Sequence, residues 1–226
     1  MPRILLLVLS LAGATPLVAQ VGHEPRDSPY RELPYATGIS ALGAYFDGGG
    51  GSVGVGPHDG WLYGGRFQIR SNRSLSLGAS VLYGNLQRRL LDPSAPAGER
   101  DKGLVDESMI ITEAVIHMNL TGAKSWHRMA PFLGFGVGAA FGGNTPADSS
   151  GYEFGTKFSF APFIGMRFYP TSRLALRGEM RGNLWKLSYP ISYRTTVGDG
   201  TVIIADGAVS EWVMQPVYVF GLSYYF

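Results

Sequence analysis

The chain contains no cysteine. This absence excludes disulfides, thiolate metal sites, a cysteine nucleophile and a lipid-modified cysteine anchor, so non-covalent forces alone must hold the fold. Charged residues are also scarce, at 16% of the 226 residues, against about 25% in an ordinary soluble domain. Leucine, isoleucine and valine are not massed into long runs, which disfavours a fold of a few apolar helices. The composition therefore excludes an ordinary soluble enzyme.

Glycine, by contrast, is abundant, at 32 residues of 226, where about 7% is usual. Hydrophobic residues make up 45% of the chain and are spread over many short segments, a distribution typical of β-strands. The formal charge is +2, and removal of a leader carrying Arg3 leaves 18 − 17 = +1. Such a small excess is not that of a nucleic-acid binder. We therefore predict no nucleic-acid partner.

The N-terminus has the order of a secretory signal peptide. Arg3 is the charged region, residues 4–12 are the apolar region, and the stretch before Gln20 ends on Ala19. The apolar region is too short to cross about 30 Å of hydrocarbon as a helix. We predict a cleaved signal peptide over residues 1–19 and, because prolines recur there, an extended periplasmic segment over residues 20–35.

Residues 36–226 divide into eight segments that suit tilted transmembrane strands of about 9 to 11 residues. The predicted strands are residues 36–46, 60–70, 74–87, 106–120, 129–141, 153–169, 173–187 and 210–226. Long connections rich in Gly, Pro, Asp and Ser alternate with short links. Outer-membrane barrels show this asymmetry, with long loops outside and short turns in the periplasm. We predict an all-β fold, an eight-stranded antiparallel up-and-down transmembrane β-barrel.

Alternation along the strands predicts which side chains face lipid, because successive residues point to opposite faces. In the sixth strand one face carries Phe154, Phe158, Phe160, Pro162, Ile164, Met166 and Phe168. The opposite face carries Glu153, Lys157, Ser159 and Arg167. Rows of aromatic rings fit outside a narrow barrel more easily than inside it, so we predict that the apolar face contacts lipid.

Two further residue types fit this arrangement. Gly134, Gly136 and Gly138 share one face of the fifth strand, where we expect them to make room for longer side chains inside the barrel. Aromatic residues near the strand ends are expected at the membrane interfaces. They include Trp61, Tyr63, Trp185, Trp212, Tyr224 and Phe226.

The hairpin over residues 161–181 and the end over residues 217–226 resemble the small outer-membrane β-barrel protein family. Its eight-stranded domains are similar to those of outer-membrane proteins A, X and W. In this family the alternating aromatic residues of the last strand are the signal read by the barrel insertion machinery. The matching residues here are Tyr218, Phe220, Leu222, Tyr224 and Phe226. The resemblance implies a monomer integral to the outer membrane, with its lipid as a partner.

Alternation also predicts a polar set inside the barrel. It comprises Arg66, Gln68, Glu113, His117, Lys157, Arg167, Arg177, Glu179, Arg181 and Glu211. The narrow interior favours a plugged, polar network of ion pairs, since buried charges must be paired and hydrogen-bonded. The alternative is a narrow path for ions or small solutes. With six basic against three acidic side chains, such a path would prefer anions.

The sequence indicates no catalytic residue, cofactor or metal site. Barrel enzymes that modify envelope lipids need a His, a Ser and often an acid. Only His58 and His117 come near this requirement, and His117 shares a face with Glu113, which suggests a structural pair. We therefore predict a non-enzymatic structural or surface-interaction role through the long outer loops, although each loop taken alone is more simply a solvated connection. A narrow channel is the alternative, and an envelope-lipid-modifying enzyme is a further one.

Overall fold

In the computed structural model, the described residues are 28–143, 148, 150–195, 200–205 and 209–226. The predicted signal peptide lies outside these residues and stays a prediction. The strands are β1 Tyr30–Glu32, β2 Thr37–Phe46, β3 Pro57–Arg70, β4 Leu75–Leu91, β5 Asp101–Asn119, β6 Lys124–Trp126, β7 Met129–Gly142, β8 Thr156–Phe168, β9 Leu174–Ser188 and β10 Ser210–Tyr225. Short 3₁₀ turns cover Ala97–Glu99 and Ile191–Arg194.

Eight of these strands close into a barrel. Each pairs antiparallel with the next in the order β2, β3, β4, β5, β7, β8, β9, β10. The ring closes where β10 pairs with β2, from Val217 opposite Phe46 to Tyr225 opposite Gly38. The predicted eight-stranded up-and-down barrel is confirmed. Both described chain ends lie at the short-turn end, which we call the periplasmic end.

The strand bounds follow the predicted ones, with one main exception. Residues 88–91 and 101–105, predicted as part of a loop, continue the β4–β5 ladder to the pair Leu91 and Asp101. The long connection between β4 and β5 is therefore mostly a regular hairpin. Its alternating side chains extend the strand pattern beyond the predicted end of each strand.

Side chains alternate between the two faces of the barrel wall as predicted. In β8, Phe158 and Ile164 are more than half exposed on the outside, whereas Ser159 is fully buried inside. The five residues of the predicted insertion signal also lie on the outward face of the last strand and its end. Together with the other exposed apolar side chains of the wall, these residues form an apolar belt around the barrel. Their role in insertion stays a prediction.

Two aromatic residues predicted to face outward are instead inside the barrel. Trp185 and Phe154 are completely buried, and their rings meet edge to face with centroids 5.4 Å apart. Trp185 is eight residues from the inward Arg177 on β9, so alternation places it inside the barrel. The prediction from its position near the strand end, an outward ring at the membrane interface, is wrong. Phe154 precedes β8, and Gly155, with φ of 61°, interrupts the alternation between them.

The interior glycines of β7 have the predicted steric role. A Cβ atom on Gly136 would lie 2.9 Å from Glu113 Oε2 and 3.0 Å from Arg181 Nη2. These contacts are closer than ordinary van der Waals distance, so a larger residue would displace the two charged side chains. Gly136 therefore makes room for an ion pair in the barrel interior.

The segment before the barrel covers its periplasmic opening. β1 pairs with β6, with Tyr30 opposite Trp126. Leu33 and Tyr35 then pack against a buried cluster at the opening, formed by Ala130, Tyr169, Ala175 and Tyr225. Within the described part of the chain, none of the helical segments is long and apolar enough to cross a membrane.

Candidate functional site

A charged network fills the middle of the barrel lumen. Arg66 of β3 donates to Glu179 of β9 through Nη1, with 2.9 Å to Oε2. Arg177 donates to the same oxygen through Nη2 at 2.7 Å and through Nε at 3.0 Å. These three side chains are no more than 5% exposed. Two guanidinium groups therefore share one carboxylate, which satisfies a buried negative charge from two strands.

A second ion pair joins β9 to β5. Arg181 donates to Glu113 Oε2 at 2.5 Å, and Ser159 Oγ lies 3.5 Å from the other oxygen of the same carboxylate. Arg181 Nη1 also lies 3.9 Å from Glu179 Oε1. The two pairs therefore belong to one network that crosses the lumen.

His117 lies in this network, but the predicted pair with Glu113 is wrong. Its Nε2 atom is 3.1 Å from Arg66 Nη1 and 2.5 Å from Arg177 Nη2. Guanidinium nitrogens only donate, so Nε2 accepts and the ring is neutral with its proton on Nδ1. His117 and Glu113 point to the same face of β5, because they are four residues apart in the strand. Each of the two side chains nevertheless binds an arginine from another strand.

Aromatic rings stabilise the excess of positive charge. Arg66, Arg167, Arg177 and Arg181 outnumber Glu113 and Glu179 in the described lumen. Phe132 has the guanidinium carbons of Arg167 and Arg177 each 4.5 Å from its ring centroid. Phe163 has those of Arg66 and Arg181 each at 5.7 Å. A ring face carries partial negative charge, so both phenylalanines offset part of the cost of burying four cations.

The structure brings eight of the ten predicted lumen residues together. Gln68 joins by accepting from Arg177 Nη1 at 3.3 Å and donating to the Tyr225 hydroxyl at 3.0 Å. Lys157 and Glu211 remain apart, because they lie at the opposite, loop-bearing ends of their strands. The Lys157 ammonium is 6.0 Å from the Phe154 ring, and Glu211 accepts from Ser52.

The loop-bearing half of the lumen is mainly apolar, although Arg88, Glu107 and Gln215 are buried there. The predicted network of ion pairs therefore fills only the other half. Trp185 stacks on Phe46, with centroids 5.6 Å apart. Around them the buried side chains are Leu42, Leu62, Leu82, Leu86, Met109, Ile111, Phe154, Leu187, Val217 and Val219. We call this group the apolar plug. Packed aliphatic and aromatic side chains make this part of the barrel unfavourable for water.

The outer loops form a cap over the plug instead of lying free in solvent. In the first loop the Gly49 amide donates to Gln215 Oε1 at 3.1 Å, and the Ser52 amide donates to Glu211 Oε1 at 2.6 Å. Val55 of this loop is fully buried in the apolar plug. Tyr152 and Tyr193, from two other loops, are buried as well. The expectation of a solvated connection over residues 189–206 is therefore wrong for Tyr193.

Comparison with known proteins shows that several solved structures have a similar fold. No family model and no curated protein matches the sequence. The outer membrane protein OprG from Pseudomonas aeruginosa is 12% identical, with a TM-score of 0.55 over 88% of this chain and 99% of its own. In fold, this chain is an eight-stranded antiparallel β-barrel similar to that outer membrane protein.

Two other solved barrels are similar. The N-terminal barrel domain of OprF from Pseudomonas aeruginosa is 12% identical, with a TM-score of 0.48 over 85% of this chain and 98% of its own. Neisserial surface protein A is 14% identical, with a TM-score of 0.46 over 88% of this chain and 98% of its own. The likeness concerns the fold of the barrel.

A buried ion pair ties the cap to the barrel wall. Arg88 of β4 donates to Asp148 Oδ2 at 2.6 Å, and its Nε lies 3.7 Å from Glu107 Oε2. The guanidinium carbon is 5.3 Å from the centroid of the Tyr152 ring. Burial raises the pKa of the Asp148 carboxyl, but hydrogen bonds from Ser150 and Arg88 outweigh it and lower the pKa below its usual value. The Asp148 carboxyl is therefore ionised at neutral pH.

A second contact of the cap uses a tyrosine. Tyr189 donates its hydroxyl hydrogen bond to Glu211 Oε1, the oxygen that also binds Ser52. Burial, together with this carboxylate, raises the pKa of Tyr189 to about 12. Tyr189 therefore stays a neutral donor at physiological pH and joins the first and last outer loops.

We expect Arg88→Met to loosen the cap. The change leaves Asp148 and Glu107 without their buried cation, which costs about 3–5 kcal/mol when a buried pair is broken. If this loss lowers the free energy of opening the cap, the open form becomes more populated. Protease cleavage within the outer loops of the protein in vesicles should then rise by roughly a hundredfold or more. The matched control is Arg89→Met, because the neighbouring Arg89 is half exposed and its ion pair with Asp101 is long, at 3.6 Å. Equal cleavage of both variants would contradict the role of Arg88.

The residues that sequence reasoning missed were Phe132 and Phe163, together with the buried Arg88. Phe132 has the parity of Gly134 and Gly136 on β7, and Phe163 has the parity of Ser159 on β8. Alternation alone could have placed both rings inside. Arg88 could not have been found, because its strand was predicted to end before it.

Proposed function

We propose that this protein is an integral outer-membrane barrel with a closed lumen, which serves envelope structure or surface interaction instead of conduction. One observation carries the proposal: side chains of the described residues block the lumen at four successive levels. From the periplasmic end to the outer end it contains the segment before the barrel, the charged network, the apolar plug and the cap. A continuous path for water or solute would need all four to move.

The apolar plug is the strongest barrier. Leu62, Ile111 and Trp185 are at most 1% exposed, although they point into the lumen. An ion that entered this region would leave water without gaining hydrogen bonds, at a cost of many kcal/mol. The charged network offers no compensation there, because its side chains lie in the other half of the lumen.

The outer surface favours an interaction role. The β4–β5 hairpin extends past the apolar belt, where its outward side chains become polar at Asn85, Gln87 and Asp106. Ile191, in the cap, is an apolar side chain that is 80% exposed. A cap held by hydrogen bonds and a hairpin that continues the strand ladder restrict the conformations of this surface, which lowers the entropy cost of binding a partner.

Planar-bilayer recording tests the closed lumen. We expect no stepwise conductance from the purified barrel, with a known porin in the same membrane as the positive control. Steps with a preference for anions would overturn the proposal and support the narrow channel instead. The two candidate histidines give an enzyme no support: His58 donates to the Gly54 carbonyl at 2.6 Å and His117 binds arginines.

A variant with a shortened β4–β5 hairpin tests the surface role separately. Leu91 and Asp101 are paired across it, so an Asn-Gly turn can replace residues 92–100 and close the ladder directly. We expect barrel assembly to be unchanged, as judged by heat-modifiable mobility, and adhesion of cells displaying the protein to fall. The control places Asn-Gly at His127 and Arg128, a turn at the opposite end with positive φ at both residues. Unchanged adhesion in the hairpin variant would count against this surface.

A further inference from the structure

A small cavity lies at the periplasmic end of the lumen, below the charged network. Its volume is about 20 Å³, and its lining includes Arg167, Arg70, Ser76, Tyr169 and Tyr225. A cavity needs about 10–15 Å³ to hold one water molecule. This cavity therefore has room for a single water or a single monatomic ion, and not for a larger group.

Arg167 lies beside this cavity and has no ion pair with a described carboxylate. Its side chain is 2% exposed, and its Nη1 atom donates to Asn119 Oδ1 at 2.7 Å. The Nε and Nη2 atoms have no hydrogen-bond partner. The amide of Asn119 is neutral, so this contact leaves the charge in place. A buried guanidinium without a counter-ion is strongly unfavourable.

The carboxylates of the lumen are bound elsewhere. Glu179 accepts from Arg66 and Arg177, and Glu113 accepts from Arg181. The Phe132 ring, 4.5 Å from the Arg167 guanidinium carbon, offsets only part of a full charge. Four arginines face two glutamates in the described part of this network, and Arg167 is the one that has no ion pair with either glutamate.

The lining of the cavity matches an anion. None of the described residues that line it is an aspartate or a glutamate, and hydroxyl and guanidinium donors surround it. We propose that the cavity binds one monatomic halide ion, chloride under physiological conditions, as the counter-ion of Arg167. The unpartnered Nε and Nη2 atoms supply the first contacts, and a tyrosine or serine hydroxyl completes the shell.

The bound ion is structural and does not pass through the barrel. Arg70 Nη2 donates to the Leu33 carbonyl at 2.7 Å and holds the segment before the barrel beside the cavity. On the other side, the Arg177–Glu179 pair and then the apolar plug close the lumen. The proposal therefore does not depend on the surface role, and it predicts occupancy without conductance.

Anomalous diffraction from wild-type crystals prepared with bromide in place of chloride tests occupancy directly. We expect one anomalous peak inside the cavity, within hydrogen-bond distance of Arg167 Nε or Nη2. Density without anomalous signal at that position would identify a water and overturn the proposal. This measurement needs no variant, so it remains decisive if a substituted barrel fails to assemble.

Thermal unfolding gives an independent test in solution. Chloride is compared with gluconate, an ion too large for the cavity, at equal ionic strength. We expect a saturable stabilisation by chloride, which raises the ratio of folded to unfolded protein about tenfold at ten times the dissociation constant. Arg167→Gln should abolish this dependence. The control, Arg73→Gln, removes an exposed arginine at the same end and should keep it. Equal chloride dependence in both variants, or none in the wild type, would overturn the proposal.

Discussion

Replacing Glu179 by glutamine is expected to destabilise the barrel by about 3–5 kcal/mol, because it leaves two buried arginines without their carboxylate. Arg66 and Arg177 both bind Glu179, and its side chain is completely buried. The substitution keeps the volume of the side chain, so the loss reports charge and hydrogen bonding instead of packing. Equilibrium urea unfolding in phospholipid vesicles, followed by tryptophan fluorescence and heat-modifiable mobility, measures it.

The control is Glu32→Gln at the periplasmic surface. Glu32 pairs with Lys124 at 3.3 Å, but both side chains are more than half exposed, and such a pair contributes under about 1 kcal/mol. The double variant Glu179→Gln, Arg177→Gln should lose less than the sum of its two single variants, since it restores part of the charge balance. Additive losses, or equal losses for Glu32→Gln and Glu179→Gln, would contradict a network centred on Glu179.

The second large effect is expected for Trp185→Ala, with a loss of about 3–5 kcal/mol. Trp185 is fully buried between Phe46 and Phe154. Alanine would leave a cavity in the apolar plug that the β-barrel wall cannot close, because the strands are held by their ladders. The same vesicle unfolding experiment measures the change in the free energy of unfolding.

Trp212→Ala is the matched control for the apolar plug. Trp212 is 63% exposed on the outward face of β10, near the same end of the barrel. It contacts the surroundings of the barrel, so its removal should cost clearly less than removal of Trp185. Similar losses at both positions would mean that the apolar plug does not depend on packing around Trp185.

Alternation in the sequence placed most of the lumen residues but not their partners. Arg66 and Glu179 are 113 residues apart in the chain, on strands that are not neighbours in the wall. Parity states only that both point inward. Which cation meets which carboxylate depends on the strand order around the ring and on how far each residue lies along it. This is why His117 was paired with Glu113, a neighbour on its own strand, and was found between two arginines.

The limits of the predicted polar interior have a similar cause. Charged side chains at alternating positions predict the periplasmic half of the lumen. Leu62, Leu82 and Ile111 alternate in the same way and lie inside, but apolar residues on a strand are equally compatible with the lipid face. Loop residues carry no such period. The burial of Val55 and Tyr152 depends on the opening that the closed barrel offers them.

The fold class, the number of strands, the asymmetry of loops and turns, and the face on which most strand residues lie can all be predicted from the sequence. These properties follow from local features, namely strand length, period-two alternation and turn composition. Four other features could be seen only in the three-dimensional structure: the Arg66–Glu179–Arg177 arrangement, the apolar plug around Trp185, the cap held by Arg88 and the cavity beside Arg167. Each of these joins residues from distant strands or loops, and barrel closure brings them within contact distance.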